Sequence, residues 1–108
     1  MKQATATRQS GYRHTVTMRQ HDMTVDEPPE KGGTDEGPSP QELLAASLAT
    51  CVAITAEMYA TRKGWDVGGL EVDVDFGGSP RAGETARFDV AVALPAGLSA
   101  EQRERIMV

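Results

Sequence analysis

The chain passes from loop to helix within residues 37–51, which read GPSPQELLAASLATC. Ser39 suits the N-cap of a helix because its hydroxyl can accept a hydrogen bond from a backbone N–H of the first turn. Pro40 suits the first helical position, where no N–H is needed. Glu42 stands three residues after Ser39, as a capping box requires. These residues predict a helix that begins at Pro40.

The other end of this helix is marked as well. No Gly or Pro interrupts the sequence between Pro40 and Gly64, and Arg62 and Lys63 place positive charge where the helix dipole favours it. The helix is therefore predicted to run from about Pro40 to Lys63. Residues 43–56 contain no charged side chain, so the helix is apolar nearly all round and is expected to be central and buried.

Alternating apolar and polar residues predict strands on both sides of the helix. A weak strand has Ala4 and Ala6 on one face, a stronger strand covers residues 12–18, and a short strand at 23–25 completes an antiparallel meander. Residues 70–76 and 86–94 predict a β-hairpin around a glycine-rich turn at 77–83. The predicted fold class is α+β.

A second helix is predicted to begin after Ser99, with Gln102 in the capping-box position. The sequence stops at Val108, before this helix is long enough to be stable alone. With 108 residues, the chain fits one domain over residues 1–108. We expect this domain to be incomplete at its C-terminus.

Composition excludes several classes of partner. The net charge is −5 and the eleven basic residues are scattered, so we expect no nucleic-acid partner and no anionic membrane surface. We find no apolar run close to the roughly 20 residues that span a bilayer, and we expect no signal peptide because polar residues follow Met1. The protein is expected to be soluble and cytoplasmic. A single cysteine cannot form an internal disulfide.

That cysteine, Cys51, is the main candidate for chemistry. Helical spacing places it on one stripe with four other residues, which are Leu44, Leu48, Thr55 and Met58. One interpretation is structural, since free cysteines are among the most buried residues. The other is functional, and it needs a nearby cation to favour the thiolate, because the middle of a helix gains nothing from the helix N-terminus. His14 and His21 lack the spacing of a metal site, and we expect no metal or cofactor.

Several short runs together carry a resemblance to a known family. They are DEP at 26–28, GGTD at 32–35, GPSP at 37–40, ELLAA at 42–46, Cys51 itself, MYA at 58–60 and KGW at 63–65. In this combination the chain resembles the osmotically inducible protein C and organic hydroperoxide resistance (OsmC/Ohr) family, and more narrowly its OsmC-like branch. The resemblance is continuous from about His21 to Val74.

The resemblance implies a small α+β fold in which two chains intertwine as a homodimer, with the long helix at the centre and active sites at the subunit interface. It also implies a thiol-dependent peroxidase that acts on organic hydroperoxides. Cys51 would be the peroxidatic thiol, which is oxidised to a sulfenic acid. A second cysteine normally resolves this acid to a disulfide, and a dithiol reductant, either a small thiol or a lipoylated protein, reopens it.

The resemblance assigns roles to four further residues. An Arg of the meander would activate the thiol, and both Arg8 and Arg13 qualify. Gln41 stands where active members have a Glu that holds this Arg; a glutamine can hydrogen-bond an Arg but cannot neutralise it. The neighbouring Glu42 is the other candidate, unless it serves the helix cap.

A second function stays open at this point. Gln41 and the absence of a second cysteine from these 108 residues favour a catalytically inactive OsmC-like scaffold or ligand-binding dimer. In that case Cys51 would be a packed structural residue.

Overall fold

The structure is a computed structural model that describes residues 3–76 and 87–107. The strands are β1 (Thr5–Ser10), β2 (Arg13–Met18), β3 (His21–Val25), β4 (Glu71–Phe76) and β5 (Phe88–Ala93). The helices are α1 (Pro40–Lys63) and α2 (Ala100–Met107), with a short 3₁₀ turn at Pro29–Lys31. The predicted α+β class is confirmed. The turn predicted at 77–83 lies outside the described residues.

The chain forms two compact units, Met1–Leu44 and Ala45–Val108. In the first unit, β1, β2 and β3 form the predicted antiparallel meander. The register pairs Ala6 with Val16 and Val16 with Met23, so apolar side chains of all three strands share one face. The third strand begins at His21, two residues earlier than the alternation indicated, because Asp22 and His21 continue the ladder with β2.

The loop after β3 is organised by the buried carboxylate of Asp26. This carboxylate accepts hydrogen bonds from the backbone N–H of Glu27 at 2.7 Å, of Glu36 at 3.2 Å and of Thr34 at 3.3 Å. It also accepts one from the Thr34 hydroxyl at 2.8 Å. Burial raises the pKa of Asp26, but these hydrogen bonds outweigh burial and hold the pKa below its usual value.

Two glycines allow this loop to pack closely on its own backbone. A Cβ atom on Gly33 would collide with the carbonyl oxygen of Glu27, and a Cβ atom on Gly37 would collide with the carbonyl oxygen of Thr24. The backbone N–H of Asp26 donates to the Pro38 carbonyl oxygen at 3.1 Å, which holds the end of the loop beside β3. The loop therefore has a fixed path into the helix.

The first turn of α1 is the predicted capping box. The backbone N–H of Ser39 donates to the Glu42 carboxylate at 2.9 Å, and the backbone N–H of Glu42 donates to the Ser39 hydroxyl at 3.2 Å. The Ser39 hydrogen bonds lower the pKa of Glu42. Glu42 thus serves the helix cap.

The last turn of α1 also ends as its sequence indicated. Gly64 adopts a left-handed conformation with φ of 75°. Its N–H donates to the Thr61 carbonyl at 3.1 Å, and the N–H of Trp65 donates to the Ala60 carbonyl at 2.8 Å. This pair of hydrogen bonds is a Schellman motif, so both ends of the 24-residue helix are closed.

The expectation that α1 is buried is wrong for the single chain. Among its described residues only Ala56 and Ala60 are buried, whereas Leu44 is 53% exposed, Ile54 43% and Met58 61%. A helix that is apolar on every side needs cover on every side. The single chain covers one stripe of it.

The sequence was interpreted as having no apolar run long enough to span a bilayer, and this interpretation needs correction. By length and composition, α1 is long and apolar enough to cross a bilayer. Hydroxyl residues break the run of strictly apolar side chains, but they can bond inside a helix, as the Thr50 hydroxyl does to the Ala46 carbonyl at 2.6 Å. The central helices of soluble proteins meet the same criterion. Absence of a membrane partner therefore stays a prediction.

The second unit contains the β4–β5 pair and α2. Phe76 lies opposite Phe88 with ring centroids 4.9 Å apart, and Val72 lies opposite Val92. The carboxylates of β4 face solvent, as the alternation predicted. Val90, expected to point inward, is 43% exposed, because nothing in the described part of the chain covers that end of the strand pair.

The start of α2 repeats the capping box. The backbone N–H of Ser99 donates to the Gln102 side-chain oxygen at 2.7 Å, and the backbone N–H of Gln102 donates to the Ser99 hydroxyl at 3.1 Å. The Arg103 guanidinium donates to the Pro95 carbonyl at 2.6 Å. These bonds fasten the first turn of α2 to the segment that precedes it.

The buried carboxylate in the loop predicts an acid-sensitive fold. Asp26 has a lower pKa folded than unfolded, so its contribution to stability is complete above the usual value of 3.8 and is lost as the pH falls through the folded pKa. Asp26→Asn should lower stability at neutral pH and flatten the pH dependence below about 4. Urea unfolding followed by circular dichroism at several pH values measures both. Asp35→Asn, in the same loop, is the control and should behave as wild type; identical pH profiles for all three proteins would contradict this account.

The capping box predicts that Ser39→Ala lowers the free energy of unfolding by about 1 kcal/mol. Ser39 is buried whereas Ser99 is exposed, and α2 is only eight residues long. Ser99→Ala should therefore cost less. Chemical denaturation of both variants provides the comparison, and an equal or larger loss for Ser99→Ala would be inconsistent with the dominant role of the α1 cap.

Candidate functional site

A cleft of about 850 Å³ opens between α1 and α2 in the second unit. Residues of three elements line it. They are Cys51, Val52, Thr55, Ala56 and Tyr59 of α1, Val92 of β5, and Glu101, Glu104, Arg105, Ile106 and Met107 of α2. Most of the lining surface is apolar, so the cleft suits a small organic molecule.

Cys51 stands on the α1 wall of this cleft as an exposed free thiol. Thr55 and Tyr59 follow it at intervals of four residues, which places the three side chains along one wall. Met58, which shares the predicted stripe with Cys51, lines a different groove together with Ile54. Met58 precedes Tyr59 by one residue, so its side chain is turned by about 100° around the helix axis and lies outside the cleft.

Tyr59 is held in place by aromatic contacts at the end of α1. Its ring meets that of Trp65 edge to face, with centroids 5.9 Å apart, and the Lys63 ammonium lies 5.8 Å from the Tyr59 centroid. The Schellman turn brings Trp65 back across the helix end. Tyr59 is therefore a well-supported part of the cleft wall.

The α2 wall brings charge to the cleft. Arg105 pairs with Glu101 one helical turn earlier, at 3.5 Å, and both side chains are mostly exposed. Glu104 adds a second carboxylate to the lining. Ile106 and Met107 continue the apolar surface beside these charges.

The two candidate activating arginines lie in the first unit. The Arg13 guanidinium binds both carboxylate oxygens of Glu36, at 3.1 and 3.0 Å, and the Thr34 hydroxyl oxygen lies 2.8 Å from the same carboxylate. Arg8 donates through Nε to the Gly11 carbonyl at 3.0 Å. The strand register puts Arg8 on the face that carries Ala6 and Val16, and Arg13 on the opposite face. A role for either in activating Cys51 stays a prediction.

Glu36 is the acidic partner that sequence reasoning missed. The resemblance assigned the residue that holds an arginine to Gln41 or to the neighbouring Glu42. Gln41 lies half-buried in the first turn of α1, and Glu42 is engaged by Ser39. The sequence signal that could have identified Glu36 was its position inside the glycine-rich run. The hydrogen bonds to Asp26 fold this run back toward the strands.

Metal ligation has no structural support in residues 3–76 and 87–107, where no three His, Cys, Asp or Glu side chains are grouped to hold an ion. His14 instead places Nδ1 2.9 Å from the Tyr12 carbonyl oxygen. The chemistry available at the cleft is therefore that of an exposed thiol beside a hydroxyl, a phenol and a few charged groups.

The fold and the site together define a small α+β protein with an exposed thiol on its long helix. The profile of the OsmC-like protein family matches residues 33–108. The chain belongs to this family, as its motifs indicated. A search of curated proteins gave no significant match.

Solved structures of similar proteins agree with this fold. A protein from Psychrobacter arcticus, named for osmotic stress induction and a detoxification response, aligns with a TM-score of 0.81 and 23% identity over 99% of this chain and 80% of its own. An organic hydroperoxide resistance protein from Vibrio cholerae, with captopril bound in one of its active sites, gives 0.68 and 22% over 98% and 75%. An OsmC-like protein from Mycoplasma pneumoniae gives 0.72 and 22% over 88% and 69%.

The exposure of Cys51 predicts its reactivity in the folded protein. Iodoacetamide should alkylate the native chain once, at a rate comparable to that in urea. Thr55→Trp, which fills the cleft one turn away, should slow this reaction, whereas Met58→Trp on the other groove should not. Mass spectrometry follows the label. A native thiol that reacts only after unfolding would show that Cys51 is inaccessible in solution.

Proposed function

We propose that this chain is a subunit of a thiol-dependent peroxidase that reduces organic hydroperoxides, with Cys51 as the reacting residue. The observation that carries the proposal is the exposed Cys51 thiol on the wall of a mostly apolar cleft. Family membership supports it, because a structural relative from Vibrio cholerae is named an organic hydroperoxide resistance protein.

The oxidation step needs only the thiolate and the peroxide. The Cys51 sulfur attacks the terminal peroxide oxygen, an S–O bond forms and the O–O bond breaks. The leaving alkoxide takes a proton and departs as the alcohol. Cys51 becomes a sulfenic acid, oxidised by two electrons, and the hydroperoxide is reduced by the same two.

Within these 108 residues Cys51 is the one cysteine, and we propose that an external thiol reduces its sulfenic acid. An external thiol attacks the Cys51 sulfur, water leaves and a mixed disulfide forms. A second thiol then attacks the external sulfur of this disulfide. This attack releases the Cys51 thiol and converts the reductant to a disulfide. A dithiol supplies both sulfur atoms, so the proposed reductant is a small dithiol or a lipoylated protein.

The cleft supplies the features that an organic substrate needs. Val52, Ala56 and Val92 offer apolar surface for an alkyl or aryl group. The Thr55 hydroxyl, one turn from Cys51 on the same wall, is the proposed hydrogen-bond partner of the peroxide oxygens. These groups distinguish an organic hydroperoxide from hydrogen peroxide, which has no apolar part to bind.

The proposed assembly is a homodimer. Its support is the exposed apolar surface of α1, where Leu44, Ile54 and Met58 are open to solvent in the single chain. Arg8 or Arg13, from the same chain or the partner, is the proposed cation that favours the Cys51 thiolate.

Turnover of cumene hydroperoxide with dithiothreitol as reductant tests the proposal. The protein should consume the peroxide catalytically, and Cys51→Ser should abolish consumption while leaving the circular dichroism spectrum unchanged. Thr50→Ser is the matched control, because its hydroxyl can keep the bond to the Ala46 carbonyl and should leave activity intact. A folded wild-type protein without turnover would favour the inactive scaffold, the interpretation to which Gln41 also points.

A further inference from the structure

The charged groups in the cleft are confined to its α2 wall. Glu101 and Arg105 pair with each other at 3.5 Å, so their charges largely compensate. Glu104 makes no hydrogen bond or ion pair with any described residue, and its carboxylate lines the cleft. The remaining lining is apolar apart from the thiol, Thr55 and Tyr59.

We propose that this cleft selects neutral apolar hydroperoxides over hydroperoxides that carry a carboxylate, and that Glu104 is the residue that determines the selection. The inference rests on the proposed function, and it narrows the substrate class of the same site. Alkyl and aryl hydroperoxides and esterified lipid hydroperoxides belong to the favoured class. Hydroperoxides with a carboxylate only a few carbon atoms from the peroxide belong to the disfavoured one.

The selection follows from the balance of two terms. Apolar surface favours the organic part of both classes equally, at roughly 25 cal/mol per Å² buried, and so does not discriminate between them. A carboxylate near Glu104 meets a like charge, and no cation in the described cleft is free of a carboxylate partner. For exposed charges a few ångströms apart, the repulsion corresponds to about a fivefold difference in rate.

The charge of the whole chain acts in the same direction. The net charge of −5 disfavours the approach of an anionic substrate, and this long-range effect falls with ionic strength. Glu104 adds a local effect that depends on one residue. Comparing the Glu104 variants with a distant charge variant separates the two.

The test compares cumene hydroperoxide with its para-carboxylate derivative, which differs by one negative charge at nearly the same shape. Oxidation of Cys51 is measured in a single turnover without reductant, at low salt. The neutral compound should react about fivefold faster. Glu104→Gln should reduce the ratio, and Glu104→Lys should reduce it further or invert it.

Asp73→Asn is the matched control. It removes one negative charge from the same unit, but Asp73 is exposed on β4 and pairs with Ala91, on the sheet face opposite to the one that carries Val92. It should leave the ratio close to that of wild type. A ratio that shifts equally in Asp73→Asn and Glu104→Gln would assign the selection to net charge and overturn the role of Glu104.

Three further outcomes would overturn the inference. Equal rapid reaction of both compounds would contradict the selection while leaving the peroxidase proposal intact. Faster reaction of the carboxylate, abolished in Arg105→Gln, would make Arg105 an anion-binding residue instead. Failure of both compounds to oxidise Cys51 would overturn the proposed function itself, and the inference with it, and is distinguishable from the other results.

Discussion

The start of the long helix depends on the reciprocal hydrogen bonds between Ser39 and Glu42, which fix the residue at which α1 begins. The loop before them has one path, set by the buried Asp26 carboxylate and by the close backbone approach at Gly33. From this start the helix continues without a break for about three turns before it reaches Cys51. The thiol is therefore carried on a rigid element rather than on a loop, as a reactive group that must keep its geometry requires.

The cleft combines an exposed thiol and a mostly apolar surface from separate parts of the second unit. α1 contributes Cys51 and Thr55, β5 contributes Val92, and α2 contributes the charges. The Ser99 capping box sets where α2 begins, and its Glu101, Glu104 and Arg105 follow along the cleft. The same arrangement explains why substrate charge, and not only substrate size, should matter for the proposed peroxidase.

Much of this architecture could be predicted from the sequence because its signals are local. The bounds of α1 follow from Ser39 and Gly64, and the β4 strand from strict alternation of apolar residues and carboxylates. Burial of α1 could not be predicted, since it depends on what the rest of the chain covers. The Arg13–Glu36 pair was missed for a similar reason: 23 residues separate its members, and only the folded loop brings them together. The α2 wall of the cleft could not be predicted from local sequence patterns either, because it depends on where α2 packs in the folded chain.

The central claim is that Cys51 is an accessible thiol that takes one oxygen atom from an organic hydroperoxide. Intact-protein mass spectrometry after adding one equivalent of cumene hydroperoxide, with no reductant present, tests it most directly. The account predicts a mass gain of one oxygen atom, mapped by peptide analysis to Cys51 and accompanied by an equal amount of the alcohol. An unmodified chain with an intact fold, or oxidation located only at methionines such as the exposed Met58, would contradict the account.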